Sequence, residues 1–276
     1  RTFIFAYRND TKYAEDVADA IQYINKSKLE ENRQSMNRVL VHDGFFAETF
    51  PVYDVDSKQM KIVELPEGIG ELSEEFEFNF ENTGVMKDGV VYTTKTMPKY
   101  EGNVTTLGDI MEKEEVDKKY FIPKEKLYYT NPNITHSDET HGKLPKEERQ
   151  TWQYIKGAKK LARKSSGGHE YIFSEGAIPM VDDEDKPART MLTSEGGFNR
   201  STHIVKDKKT GNIRLLTAGE TERIQGFPTD HTKYCLVNGE TVEMPLNKRR
   251  FMMGNALVVN LIADMEETLD KIFEKE

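Results

Sequence analysis

Apolar and polar positions recur with different periods along this chain, and those periods predict its elements. Residues 2–7 (Thr-Phe-Ile-Phe-Ala-Tyr) are almost unbroken in apolar character, the pattern of a strand buried on both faces. Ala14, Val17, Ala18, Ile21 and Ile24 then fall at helical spacing behind Asp10 or Thr11 as N-cap, and residues 25–38 read as a helix extension or a loop. From Val39 to about Tyr100 the pattern turns β-like. Residues 52–56 and 60–63 flank the polar stretch 56–59 as a candidate hairpin, and Val90–Thr94 is a further strand. Residues 75–80 alternate strictly, with Phe76, Phe78 and Phe80 on one face, which reads as core rather than as a platform for stacking bases. Thr106–Asp109 opens a short acidic helix. Near the end, Val258, Ile262, Met265, Leu269 and Ile272 form the stripe of an amphipathic helix, broadened by Leu261 and Phe273. Such a helix needs a partner. Mixed periods of this kind define an α+β chain.

The most tightly punctuated stretch is Arg214–Pro228. Arg214–Leu216 lead in as a short strand, and Thr217 is placed to N-cap a helix, with Glu220 three residues on to complete a capping box. Gly226 stands where a left-handed C-terminal residue is wanted, and Pro228 stops the helix from continuing.

Composition narrows the class. Of 276 residues, 36% are hydrophobic and 32% charged, lean for a self-contained enzyme yet not disordered. A single cysteine excludes a disulfide framework and fits a reducing, cytoplasmic compartment. No apolar run approaches the ~20 residues that span a bilayer, so no membrane partner is expected. His136 and His141 flank Asp138 and Glu139, but without cysteine or helical His spacing they read as a solvated loop, and no metal is expected.

The net charge of −9 is unevenly spread. Residues 1–148 hold 19 basic and 29 acidic side chains, net −10, whereas residues 149–250 hold 18 basic and 13 acidic, net +5. A nucleic-acid surface therefore belongs to the second half. Its most basic segment, residues 149–169, carries Lys159, Lys160, Arg163 and Lys164 beside Trp152 and Tyr154 and ends in Ser165-Ser-Gly-Gly-His169. These cations are candidates for phosphate contacts, although a basic solvated helix has the same composition. Arg189, Asn199 and Arg200, set among hydroxyls and a Gly-Gly pair, are candidates for contacting base edges. Residue type alone does not separate base readers from phosphate anchors.

Three segments resemble, in order, signature blocks of the C5 cytosine DNA methyltransferases. Arg214–Pro228 is similar to the ninth block, R-x-L-T-P-R-E-x-x-R-L-Q-G-F-P, at Arg214, Leu216, Thr217, Glu220, Arg223, Gln225, Gly226, Phe227 and Pro228. Ala218 and Gly219 replace its Pro-Arg, so the arginine of that pair has no counterpart. Gly254-Asn-Ala-Leu-Val258 resembles the tenth block, and Arg1 with the following apolar run resembles the end of the eighth, Q-x-R-x-R. Pro187–Thr202 resembles the P-x-x-T-[LM]-T segment that often precedes the ninth block.

The resemblance implies a function. Members of the family transfer a methyl group from S-adenosyl-L-methionine to C5 of a cytosine flipped out of duplex DNA, commonly in bacterial restriction–modification. Arg1 would contact the flipped base, Asn255 and Ala256 would lie beside the cofactor, and Arg214 and Thr217 would join the basic residues at the DNA. The F-x-G-x-G cofactor loop and the P-C-Q nucleophile of the family precede the eighth block, and Cys235 lies in Lys-Tyr-Cys-Leu instead. The expectation is thus a C-terminal part of such an enzyme, inactive alone, whose partners are DNA and a missing N-terminal catalytic part. Residues 1–20 would end the catalytic domain, 21–250 would form the target-recognition domain, and 251–276 would return to the catalytic domain. The strand at 2–7 and the last helix would belong to the absent α/β domain and, left bare, would pair with each other and drive a homodimer. The alternative is a non-catalytic DNA-recognition module or one subunit of a split enzyme.

Overall fold

The computed structural model describes all residues except 1, 22–28, 69, 71–76 and 166, and all of their side chains except those of 18–21. The chain forms two compact units, Arg1–Gly102 with Leu261–Glu276, and Asn103–Asn260. This is a division by packing. The boundaries at 20 and 250 expected from the blocks concern where a catalytic domain ends.

In the first unit, α1 (Lys12–Ile21) begins where Ala14 N donates to Thr11 Oγ1 at 3.1 Å. Helix α2 (Arg33–Arg38) runs into a π-turn, Val39–Asp43, and α3 (Phe45–Thr49) follows. The turn closes with Gly44 N donating to Val39 O at 2.9 Å, and a Cβ on Gly44 would stand 2.5 Å from that oxygen. Strands β1 (Lys61–Glu64), β2 (Thr83–Lys87) and β3 (Val90–Thr94) make an antiparallel sheet in the order β1-β3-β2. Asp88 and Gly89, at φ 50° and 77°, supply the two left-handed residues that a two-residue hairpin requires. As the central strand, β3 is buried along its whole length. Tyr13, Met36, Phe45, Val90, Tyr92 and Met265 lie in one apolar core, with Leu269 and Ile272 packed against it.

Two expectations are corrected here. Residues 2–8 form no strand, and Ile4 is 87% exposed. Alternation rather than continuity governs them: Phe3 and Phe5 turn into the core, where Phe5 stacks on Phe45 at 4.2 Å, without any ladder. The N-terminal run and the last helix therefore do share a core within this chain, through Phe3, Phe5, Met265, Leu269 and Ile272. The hairpin expected over 52–63 is also rearranged. Val52 bridges Pro98, Asp56 caps a 3-10 turn at Ser57–Gln59, and β1 pairs with β3. The strand expected at 75–80 lies mostly outside the described residues, and 77–80 have no regular structure.

In the second unit, capping boxes start α4 (Leu107–Ile110) and α5 (His136–Thr140), so His136 begins a helical turn and His141 caps its end. Among the described residues, no three His, Cys, Asp or Glu side chains gather as metal ligands. Helix α6 (Trp152–Lys156) leads to the hairpin β4 (Lys159–Lys164) and β5 (Glu170–Glu175). Strands β6 (Ile204–Lys206) and β7 (Ile213–Leu215) pair antiparallel and run into α7 (Ala218–Ile224). A second two-residue turn, Asn238-Gly239 at φ 52° and 87°, joins β8 (Tyr234–Val237) to β9 (Glu240–Glu243). Helices α8 (Leu246–Asn255) and α9 (Val259–Phe273) complete the chain. Asn255 ends α8, and residues 256–258 break the helix before α9 begins. The apolar clusters are small: Leu107, Met111, Val205 and Leu216 in one, Leu127, Trp152 and Ile204 in the other.

Candidate nucleic-acid interface

The segment Arg214–Gly226 folds as its sequence dictates. Thr217 Oγ1 accepts from Glu220 N at 3.1 Å, and Glu220 Oε2 accepts from Thr217 N at 2.7 Å, the reciprocal capping box. Gly226 takes φ 80°, the left-handed conformation that ends the helix.

The charges of this segment face inward. Arg214 has no exposed surface. Its Nε donates to Asp207 Oδ2 at 3.0 Å, and its Nη1 and Nη2 donate to the two Glu220 oxygens at 2.8 Å each. Asp207 also accepts from the amide and hydroxyl of Thr210 at 2.8 Å, which fixes the β6–β7 turn. Burial opposes ionisation of Asp207, but the Thr210 and Arg214 hydrogen bonds outweigh it and hold its pKa below the ordinary value. Burial likewise opposes the charge of Arg214, and Glu220 and Asp207 overcome it.

A second knot lies at the other end of α7. Glu222, fully buried, accepts from Arg249 Nη2 at 2.8 Å, Thr232 N at 3.0 Å and Asp230 N at 2.6 Å. Gln225 Nε2 donates to Met253 O at 2.7 Å, and Arg223 donates to Ile110 O at 2.8 Å and to Thr229 Oγ1 at 2.7 Å. Arg214, Thr217, Glu220, Arg223 and Gln225 thus tie β7, α7, α8 and the end of α4 together. They build a scaffold.

The basic segment divides into α6 and β4. Lys156 is buried, donates to Thr202 O at 2.7 Å, and is pushed down to about 8 by burial, against the pull of Asp182. Lys159 is also buried. Its Nζ donates to the carbonyls of Tyr154 and Gly157 and stands 4.1 Å from the Tyr154 ring centroid. Lys160, Arg163 and Lys164 are exposed, with the Arg163 guanidinium over the Phe173 ring at 3.6 Å. The four sequence candidates on this strand therefore separate into one inward and three outward cations.

The expected base readers also divide. Arg189 pairs with Asp182 and donates to Thr202 O at 3.3 Å. Arg200 donates to the carbonyls of Gly157 and Gly176 and lies 3.6 Å from Glu175. Both guanidiniums hold backbone in place. Asn199 is exposed, but its Oδ1 accepts from Ser201 N at 3.0 Å and Ser201 Oγ at 2.8 Å. Residues that composition did not single out are Tyr171 and Ile172 on β5, exposed beside the three outward cations. A signal was available, because a short Gly-Gly-containing loop, Ser165-Ser-Gly-Gly-His169, separates two short runs as in a hairpin with a longer loop.

At the candidate cofactor edge, Asn255 is exposed and its side chain makes no hydrogen bond among the described residues. Ala256 N donates to Met252 O at 2.8 Å. Just before them, Gly254 presses on the backbone of Leu192 and Thr193, where a Cβ would approach within 2.5 Å. Arg1 lies outside the described residues.

This chain belongs to the C-5 cytosine-specific DNA methylase family, whose profile matches residues 1–271. It is 35% identical over 273 residues to the type II methyltransferase M.Sau3AI of Staphylococcus aureus, a match that takes in 99% of this chain and 54% of that protein. The chain thus spans about half the length of that relative. The solved structure of the Entamoeba histolytica methyltransferase EhMeth aligns with 78% of this chain and 54% of that one at 10% identity, with a TM-score of 0.31, too slight a likeness to bear on the fold or the site.

Proposed function

We propose that this chain is the target-recognising part of a DNA cytosine-5 methyltransferase from a restriction–modification system. The observation that carries the reading is a hairpin with three exposed cations, β4–β5, in a chain of this family whose ninth-block residues are knit together by hydrogen bonds. Lys160 and Lys164 on one face of the ribbon, and Arg163 on the other, are exposed to meet phosphate. Lys159 ties β4 to the end of α6, and Arg214 and Thr217 hold β7 to α7. Arg189 and Arg200 brace the neighbouring loop, and Asn199 remains available at its surface.

The chemistry requires a cytosine extruded from the stack, because C5 and C6 are inaccessible within a duplex. Arg1 would donate hydrogen bonds to that base and polarise the ring as charge develops. S-adenosyl-L-methionine supplies the methyl group when bound. Asn255 and Ala256 fit one edge of its site: the free carboxamide can both donate and accept, and the Gly254 contact fixes the end of α8 that presents it. In functional terms residues 1–20 and 251–276 would belong with the catalytic domain and 21–250 with target recognition. The nucleophile comes from a partner N-terminal part. Cys235 sits on β8 with no proline before it or glutamine after it.

The test is direct. The chain incubated with labelled S-adenosyl-L-methionine and pooled random-sequence duplex should bind DNA and transfer no methyl group. Added to a segment carrying the cofactor loop and nucleophile, it should support transfer that Cys235→Ser leaves unchanged. Methylation by the chain alone, abolished by Cys235→Ser, would sink the reading. Absence of any DNA binding would sink it equally.

A further inference from the structure

The two faces of the β4–β5 ribbon differ. The register pairs Lys160 with Ser174, Ala162 with Ile172 and Lys164 with Glu170. Alternation along each strand puts these residues on one face, and every one of them is exposed. The opposite face carries Lys159, Leu161 and Arg163 across from Glu175, Phe173 and Tyr171, and it packs at its Lys159–Leu161 end. Lys159 is buried, and Leu161 Cδ2 lies 2.9 Å from the position a Cβ on Gly142 would take, while Arg163 and Tyr171 near the turn are exposed. Ile172, in the middle of the bare face, is 65% exposed and sits directly across from Ala162. An apolar pair between two lysines is an odd surface for water alone. It is a natural one for duplex DNA.

Strands lie about 4.8 Å apart, so a two-stranded ribbon with its side chains fits a major groove about 12 Å wide. Lysines at both ends of the face match the phosphates on the groove walls. In the middle, where base edges lie, the ribbon offers methyl and methylene groups instead of donors and acceptors. The one apolar group that a base presents in the major groove is the C5-methyl of thymine. The Lys164–Glu170 pair, at 4.0 Å between exposed side chains, is too loose to cancel the positive end.

Resting on the functional reading above, we propose that the Ala162/Ile172 face of the β4–β5 ribbon enters the major groove and that Ile172 is a specificity-determining residue. It reads a thymine methyl group, with Lys160 and Lys164 anchoring the ribbon on flanking phosphates. Specificity is thereby placed on a residue of no charge, whereas the charged neighbours supply affinity.

The experiment selects duplexes from a randomised library with the 276-residue chain. The selected duplexes are then remade with deoxyuridine in place of each thymidine, which removes only the methyl group. At one position the wild-type chain should lose about fourfold in affinity, the factor expected for one buried methyl group. Ile172→Ala should lose a similar factor on the thymine duplex and should be indifferent to the uracil replacement. Lys160→Gln with Lys164→Gln should weaken binding to every sequence alike and reduce the log–log salt slope by about two, one phosphate for each lysine. Far-UV circular dichroism should show both variants folded as wild type. A wild-type chain that binds DNA without sequence preference, or an Ile172→Ala variant that still senses the thymine methyl, overturns this inference and leaves the functional reading standing. A chain that binds no DNA overturns that reading itself.

Discussion

The two units of this chain hold themselves together by different physics. The first has one continuous apolar core, in which Tyr13, Met36, Phe45, Tyr92 and Met265 meet and aromatic rings stack. The second has small apolar clusters and fills the space between them with buried ion pairs, Arg214 with Asp207 and Glu220, Arg249 with Glu222, Arg189 with Asp182, and with a buried His203–Glu195 hydrogen bond of 2.9 Å. An apolar core tolerates substitution of similar volume and resists changes of pH. A buried ion pair adds little net stability over an apolar replacement, but losing one partner strands the other at high cost. The second unit therefore depends on keeping both members of each pair.

The largest effect that should separate the units is acid. Asp182, Asp207, Glu222 and Asp230 all have pKa values held below the ordinary one; burial opposes this in each case, and hydrogen bonds from Arg189, Thr210, Thr232 and Arg249 respectively outweigh it. A depressed carboxylate contributes stability that is present above its unfolded pKa, near 4, and is lost as pH falls through the folded value. Trp152, the one tryptophan, is buried in the second unit and reports on it by fluorescence. Titration below about pH 4 should release the Trp152 signal while far-UV circular dichroism retains the contribution of the first unit. Simultaneous loss of both signals would erase the distinction.

Next in size is Arg214→Ala. It leaves Asp207 and Glu220 buried without their countercharge and should cost about 3–5 kcal/mol in urea unfolding followed at Trp152. A cost under about 1 kcal/mol would mean that water reaches the site and that the triad is not a structural element.

Met36→Ala, in the first unit, should cost somewhat less, about 2–4 kcal/mol, through the cavity it leaves. Its effect should appear in circular dichroism and be weak in the Trp152 transition. Equal shifts in both would show that the units unfold as one cooperative block.

The sequence disclosed what depends on neighbours along the chain and hid what depends on neighbours in space. The Thr217–Glu220 capping box, the left-handed Gly226, strand Val90–Thr94 and the inward Met265, Leu269 and Ile272 were all legible, because each is set by spacing within one element. Arg214 was read as a DNA contact, yet its role depends on Asp207 across a turn and on Glu220 after a cap, and charge alone does not reveal burial. Apolarity at residues 2–7 correctly announced a core, but a strand also needs a neighbour with which to hydrogen-bond, and no spacing reports one. Asn238-Gly239 is a hairpin signal of the same local kind, and it takes the two left-handed residues such a turn requires.

The way the first unit closes has a consequence for how the protein is made. Its core is unfinished until Met265, Leu269 and Ile272 join it, and the amides of Lys12 and Tyr13 donate to the carboxylate of Glu276 at 3.0 and 2.8 Å. The second unit is continuous in sequence from Asn103 to Asn260. On the ribosome, where residues emerge in order at about 5–20 per second, the later unit has all its parts before the earlier one does. Birth order and the order of completion are reversed. The core around Tyr13, Phe45 and Tyr92 lacks Met265, Leu269 and Ile272 until the last helix has emerged, after every part of the second unit.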